Sequence, residues 1–278
     1  MINDKFDSII FACFDEDMPY GDITTESVIS DGTFAEGYFI AKDNGVICGL
    51  EIATRVFELS GGNVELIYLV NDGDEVTKGQ KIAQIKGDAK SILKGERTAL
   101  NLMQRASGIA TATAKAVKAV EGTPAKITDT RKTMPGLRLL DKYAVKMGGG
   151  YNHRTGLSDG VLIKDNHIAA AGGIANAVAA ARKNIPHTLK IEVETETMEQ
   201  IEEALKAKAD IIMLDNMNNE EMKKAVELIG GRAITEASGN MGERDLKSVA
   251  DTGVDIISIG ALTHSVKALD ISLKFSII

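Results

Sequence analysis

The chain has 278 residues, enough for one large domain or two smaller ones with cores of their own. Its apolar fraction of 44% and charged fraction of 26% exclude the disordered and fibrous classes. A formal net charge of −8, no Trp, five Tyr and seven Phe exclude a broad nucleic-acid surface and base-stacking platforms.

The opening MINDKFDSII carries acids early and does not read as a signal peptide, and no apolar run approaches the roughly 18 residues that span a bilayer. Phe6, Ile9, Ile10 and Phe14 recur at helical spacing, which predicts a short amphipathic helix over 4–14. Cys13 and Cys48 form neither a CxxC pair nor a disulfide framework, as expected of reduced thiols in a cytoplasmic protein. DMPYGDITTE (17–26) reads as turn-rich and ends in a capping-type pattern. FAEGYFIAK, NGVICG, VELIYLV and KIAQIKG are short strand-like runs separated by Gly and Asn or Asp signals, with a helix at 53–59 between the second and third. Residues 72–90 resemble a small barrel-sandwich hairpin. A lipoyl-type reading of it would use Lys90, although a solvated lysine is the plainer account.

Residues 94–120 form the longest helical stretch, with Gly108 as a candidate interruption. A domain boundary is expected within or just before it. Residues 1–107, joined by 266–278, would form an N-terminal α/β domain, and 108–265 a second one. In that second part apolar β-type runs (125–130, 160–165, 189–194, 210–215, 232–237 and 255–260) alternate with helical segments near 137–149, 172–184, 196–208, 218–229 and 242–252. Such alternation predicts a parallel α/β sheet. Six strands rather than eight point to an open, incomplete barrel.

Chemistry-bearing residues gather where these runs end. The first leads into Arg131 and Lys132 and the second into Lys164. The third ends at Glu194, the fourth at Asp215, the fifth at Ser238–Gly239–Asn240 and the sixth at Gly260. In barrel enzymes the C-terminal strand ends form the catalytic rim. Charge is segregated there as well. Residues 131–164 hold seven Lys/Arg and two acids, a local +5, while the rest of the chain is −13. A cationic pocket in an acidic protein suits a small polyanion. Arg138, Lys142 and Lys146, at i, i+4 and i+8, read instead as a solvated helix stripe. Lys190, Glu192 and Glu194 share one face of their strand. Glu194 and Asp215 could hold Mg²⁺ together with substrate phosphates, or accept sugar hydroxyls. The small residues of the last two strand ends would let backbone N–H groups approach a phosphate. The four histidines give no zinc spacing, and no P-loop, GxGxxG or serine nucleophile elbow is present.

EDMPYGDITTE (16–26), GERTALNLMQRASGIAT (95–111), the block DTRKTMPGLRLLDKYAVKMGGGYNHRTGLSDGVLIKDNHI (129–168), IEVET, IMLDN, EASGN and ISIGALTHS closely resemble the quinolinate phosphoribosyltransferase family over nearly the whole chain. The resemblance implies an N-terminal α/β sandwich plus an open parallel α/β barrel, assembled as a homodimer or larger. It implies transfer of phosphoribose from phosphoribosyl pyrophosphate to quinolinate, with loss of CO₂ and Mg²⁺ as cofactor, in NAD biosynthesis. By the same resemblance Arg131, His153, Arg154 and Lys164 would hold the quinolinate carboxylates, with Lys132 shared with the pyrophosphate. Arg97 would reach in from the neighbouring subunit. Glu194 and Asp215 would meet the ribose hydroxyls and the metal, and Ser238, Gly239, Asn240, Gly260 and His264 the 5′-phosphate. Lys132, Lys164, Glu194 and Asp215 would be the catalytic set. PYGDITTE is also similar to a molybdenum-associated paralogue, whose pattern lacks LIKDNH; Lys164 within GVLIKDNH favours the quinolinate enzyme. Two other readings are transfer to nicotinate, whose single carboxylate would not need all these cations, and a silent phosphosugar-binding protein, which would tend to lose some of them.

Overall fold

The computed structural model describes residues 3–278. In chain order the elements are α1 (Asn3–Asp17), α2 (Ile23–Val28), β1 (Phe34–Ala41), β2 (Gly45–Val46), α3 (Leu50–Leu59), β3 (Val64–Tyr68), β4 (Glu75–Val76), β5 (Lys81–Asp88) and α4 (Ala89–Ala119). There follow β6 (Lys126–Thr128), α5 (Arg138–Met147), β7 (Val161–Ile163), α6 (Asp165–Ala171), α7 (Ile174–Asn184), β8 (Ile191–Thr195), α8 (Met198–Lys206), β9 (Ile211–Asp215) and α9 (Asn219–Ile229). The chain closes with β10 (Ile234–Ser238), a 3₁₀ turn (Met241–Glu243), α10 (Leu246–Ala250), β11 (Ile256–Ser258), α11 (Ala261–His264) and β12 (Ile271–Ile277). No helix among the described residues is long and apolar enough to cross a membrane.

The chain divides into two compact units. The first contains the chain through Ala114, Met134–Gly149 and Ser265–Ile278; the second contains Lys115–Thr133 and Gly150–His264. The division falls inside α4, later than 107, and Met134–Gly149 goes with the first unit rather than the second.

The first unit is built on an antiparallel sheet in the order β12-β1-β5-β3. Every second residue of β1 is buried, from Ala35 through Phe39 to Ala41, as a half-buried strand requires. The C-terminal strand β12 returns to pair with β1 along its length, Ala35 opposite Ile277 and Ala41 opposite Ile271. The core joins this sheet face to α1, α3, α4 and α5, with the Phe39 and Phe57 rings tilted at 6.2 Å.

The capping-type pattern that ends DMPYGDITTE is present, because Asp22 caps α2 by accepting the Thr25 N–H at 2.9 Å. Several other expectations for this unit are corrected. NGVICG is a strand only at Gly45–Val46. Beyond the ladder, α4 takes over: the Val46 N–H donates to Thr111 Oγ1 and the Cys48 N–H to Ser107 Oγ, each at 2.9 Å. The helix expected at 53–59 begins at Leu50, since the Asp72 carboxylate accepts the Gly49 and Leu50 N–H groups at 2.9–3.0 Å. The barrel-sandwich hairpin does not form. β4 pairs with β2, and β5 with β1 and β3. Lys90 lies in the first turn of α4, paired with Glu26 at 2.9 Å and Asp31 at 2.5 Å, and is not a freely solvated lysine. α4 runs through Gly108 without a break. A Cβ there would lie 2.4 Å from the Lys267 carbonyl oxygen, so glycine serves close packing rather than interruption.

The second unit is a six-stranded sheet, all parallel, in the order β6-β11-β10-β9-β8-β7. Among the described residues no ladder joins β6 to β7, so the barrel is open. Its own core gathers Ile127, Val193, Ile212, Leu214 and Ile257 from the strands with Ile201, Met222 and Val249 from the helices. Capping boxes at Thr197/Gln200 and Asn218/Glu221 start α8 and α9. The expected helix at 172–184 is α7 alone, because Gly172 and Gly173, with φ of 74° and 130°, separate it from α6. The helix expected at 242–252 is a 3₁₀ turn followed by the short α10. Because all six strands run the same way, their C-terminal ends share one edge.

Candidate active site

That edge opens into a cavity of about 680 Å³, lined entirely by residues of the second unit. After β6, Asp129 is fully buried and accepts the His153 N–H at 2.8 Å, which ties the 151–154 segment to the strand. Thr130 Oγ1 accepts the Lys132 N–H at 3.0 Å, and the Lys132 carbonyl accepts the Thr263 hydroxyl at 2.8 Å. Lys164 follows β7 and caps α6, its N–H donating to His167 Nδ1 at 3.0 Å. The Lys164 ammonium is paired with Glu194 Oε2 at the end of β8. Asp215 Oδ2, ending β9, accepts Asn216 Nδ2 at 2.7 Å.

Backbone conformation shapes the far side of the cavity. Gly239 has φ of +93°, and a Cβ there would fall 2.2 Å from Asn216 Oδ1, so both conformation and space demand glycine. Asn240 takes the left-handed region at φ 51° and starts the 3₁₀ turn. At Gly260 a Cβ would crowd Lys132 and His264 at 3.1 and 3.2 Å. At Gly239 and Gly260 the strand ends thus present backbone rather than side chain to the cavity.

Of the residues expected to act, Arg131, Lys132, His153, Arg154, Lys164, Glu194, Asp215, Ser238, Gly239, Asn240, Gly260 and His264 all line this one cavity. Arg97 does not; it is exposed on α4 in the first unit. The cationic stretch is also divided. Arg138, Lys142 and Lys146 belong to α5 of the first unit, and Lys142 is only 4% exposed, so these three are not a solvated stripe. Burial, and secondly the neighbouring Arg131, lower the pKa of the Arg154 guanidinium.

A cluster invisible to sequence spacing lies at the cavity floor. His153 Nε2 is 3.1 Å from Glu192 Oε2 and 3.5 Å from Glu236 Oε2, while His153 Nδ1 accepts the Arg154 N–H at 2.8 Å. Among the described residues this is the one group whose ligand atoms converge closely enough for a metal, within 4.8 Å. Burial opposes charge on His153, yet the two carboxylates outweigh it and raise the pKa to about 10. Glu192 is also raised, chiefly by burial. The Arg154 N–H facing Nδ1 sets that nitrogen as an acceptor, which leaves Nε2 as the ring's donor toward the two carboxylates.

Glu194 and Asp215 bring two carboxylates to the cavity, the number Mg²⁺ commonly takes beside phosphate and water, while Glu194 Oε2 is engaged by the Lys164 ammonium.

Comparison with known proteins agrees along the whole chain. The family model for the quinolinate phosphoribosyl transferase C-terminal domain matches residues 109–274, and that for its N-terminal domain residues 22–107. A Bacillus subtilis relative, named "Probable nicotinate-nucleotide pyrophosphorylase [carboxylating]", is 47% identical over 95% of this chain and 91% of its own. The chloroplastic nicotinate-nucleotide pyrophosphorylase (carboxylating) of Arabidopsis thaliana is 47% identical over 91% of this chain and 78% of its own. The solved nicotinate-nucleotide pyrophosphorylase of Francisella tularensis superposes with a TM-score of 0.94 at 40% identity, covering 99% of this chain and 97% of the other.

Proposed function

We propose that this chain, which belongs to the quinolinate phosphoribosyltransferase family, transfers phosphoribose from phosphoribosyl pyrophosphate to quinolinate with decarboxylation, giving nicotinate mononucleotide, CO₂ and pyrophosphate. The carrying observation is the meeting of four cations (Arg131, Lys132, Arg154 and Lys164) and two carboxylates (Glu194 and Asp215) in one cavity at the C-terminal ends of parallel strands.

Quinolinate is a dianion, so its pocket needs several cations. Arg131 and Arg154 offer planar forks for carboxylates, and Lys132 and Lys164 offer point charges. The Lys164 ammonium pairs with Glu194, and an anionic substrate competes for it. As the pyridine nitrogen attacks the anomeric carbon and pyrophosphate leaves, positive charge develops on the ribose, and Glu194 and Asp215 stabilise it. Their carboxylates also accept the ribose hydroxyls. Ser238, Gly239, Asn240 and Gly260 offer backbone N–H groups to the 5′-phosphate, with His264 beside them. Loss of CO₂ from the ring carbon next to the new pyridinium leaves an electron pair that the pyridinium and the nearby cations stabilise until a proton replaces it. Mg²⁺, held by Glu194 and Asp215, would neutralise charge on the departing pyrophosphate.

The working form is a homodimer or larger assembly in the cytoplasm, with Arg97 completing a neighbour's site. Tyr20, Ile23 and Val28, on and just before α2, are 96%, 77% and 71% exposed, apolar groups that a partner subunit would cover. The free thiols of Cys13 and Cys48 suit a reducing compartment. The deciding assay supplies phosphoribosyl pyrophosphate and Mg²⁺ with either quinolinate or nicotinate. Turnover of quinolinate with release of CO₂ is expected; equal or faster turnover of nicotinate would overturn the decarboxylating assignment.

A further inference from the structure

His153 lies at the cavity, but its two ring nitrogens are already committed to the protein. Nδ1 accepts the Arg154 N–H at 2.8 Å. Nε2 faces Glu192 Oε2 at 3.1 Å and Glu236 Oε2 at 3.5 Å. The two glutamates are 3% and 1% exposed, and they reach His153 from β8 and β10, two strands that β9 separates. Their other oxygens, Glu192 Oε1 and Glu236 Oε1, have no hydrogen-bond partner among the described residues. Two buried carboxylates with orphaned oxygens are costly to maintain. A surface role cannot account for that cost, and a contact from His153 Nε2 to a substrate would have to compete with the Glu192 contact at 3.1 Å and the longer Glu236 contact at 3.5 Å.

From this geometry, and resting on the proposed quinolinate site, we infer that Glu192 and Glu236 are positioning residues that lock the His153 ring, and that His153 in turn aims Arg154 instead of touching the substrate itself. The chain of contacts is continuous. Asp129 accepts the His153 N–H and fixes the backbone at that residue. Glu192 and Glu236 accept from Nε2 and fix the ring. A ring so protonated has a lone pair at Nδ1, which receives the Arg154 N–H and sets the backbone from which the guanidinium projects. Arg154 Nη1 donates to the Gly160 carbonyl at 3.2 Å, which anchors the far end of the same side chain. With both ring nitrogens engaged in this way, recognition of the carboxylates falls to Arg131, Arg154 and the lysines.

The first test reads the ring directly. In the full-length protein labelled with ¹⁵N-histidine, His153 is assigned by comparison with His153→Asn. Protonation at Nε2 alone is expected in the free protein, unchanged by saturating quinolinate. A shift of Nε2 on adding quinolinate would make His153 a direct ligand and overturn the inference. Replacement of the Nε2–H signal by that of a metal-bound Nε2 on adding Zn²⁺ without substrate would do so too, by making the trio a cation site. The second test is kinetic. Glu236→Ala should raise KM for quinolinate about tenfold and leave KM for phosphoribosyl pyrophosphate within about twofold, the scale of one lost charge-assisted hydrogen bond. Glu236→Gln keeps an acceptor for Nε2–H and should restore KM to near the wild-type value. The double variant Glu236→Ala/His153→Ala should be no worse than His153→Ala alone. Additive losses, or a Gln variant as impaired as Ala, would refute the chain of positioning. A wild-type protein inactive on quinolinate would remove the proposed function, whereas the protonation state of His153 in the free protein would still be read. If the Ala variants fail to fold, the labelled wild-type protein decides.

Discussion

Lys164 stands where several demands meet. Its backbone caps α6 and bonds His167, while its ammonium pairs with Glu194 across two neighbouring strands. The side chain is 44% exposed, so shortening it removes charge from the cavity without opening the core. Lys164→Ala should therefore lower kcat by at least about 100-fold, the usual scale for a removed electrostatic contact in a transition state. A thermal melt followed by circular dichroism should remain within a few degrees of the wild type, and near wild-type turnover would take Lys164 out of the site. Gly239 makes the opposite case, a residue that acts by having no side chain. With φ at +93° and Asn216 Oδ1 only 2.2 Å from where a methyl group would stand, Gly239→Ala must displace the β10 end. The expected result is a KM for phosphoribosyl pyrophosphate raised several-fold, with a stability loss of about 1–3 kcal/mol. A variant with unchanged KM and an unchanged melt would contradict it. These residues were legible because each sits just past an apolar run, where a parallel strand must deliver it to the rim. Glu192 and Glu236 were not legible as partners of His153. Strand alternation puts Glu192 on the same face as Glu194, but only the sheet order β10-β9-β8 brings Glu236 within reach of the same ring.

At the level of elements, sequence periodicity served where contacts are local and failed where a distant residue decides. All six parallel strands fall on the apolar runs, with β8 and β10 each extending one residue past theirs, since strands buried on both faces have little alternative composition. The start of α3 was missed because its cap, Asp72, lies 22 residues beyond Leu50. The 72–90 segment misled because tight turns and alternation describe a hairpin equally well when β5 pairs elsewhere. α2 gives a measurable case of long-range support. Glu26 accepts from Lys94 and Lys90 of α4, and these hydrogen bonds lower its pKa from 4.5 to about 2. A folded pKa below the unfolded one means that the stabilisation is complete above about 4.5 and is lost as the pH falls through about 2. Hydrogen exchange should accordingly show α2 amides less protected in Glu26→Gln than in the wild type at pH 7, with the difference vanishing near pH 2. Equal protection at pH 7 would show that the tether does not hold the helix.

Taken whole, the chain carries a net charge of −8 that hides a positive stretch, and the structure divides that stretch by unit. Arg131, Lys132, Arg154 and Lys164 serve the cavity of the second unit, while Arg138, Lys142 and Lys146 lie on α5 of the first. Arg97 is likewise on the first unit and outside the cavity lining, so its assignment to a neighbour's site depends on assembly rather than on the single chain. Assembly makes this separable by mixing. A subunit bearing Arg97→Ala keeps its own Lys164, and a subunit bearing Lys164→Ala keeps its own Arg97. If the arginine serves the neighbouring cavity, each mixed dimer contains one site with both residues intact and one with neither. Random exchange of equal amounts should then restore about a quarter of wild-type activity from two nearly inactive proteins, by the statistics of a two-fold assembly. If Arg97 acts within its own chain, no combination of these subunits has a complete site. Absence of recovery after exchange has been verified, for example with differently tagged subunits, would therefore assign Arg97 to a role inside its own subunit and leave the cavity of the second unit to work with its own four cations.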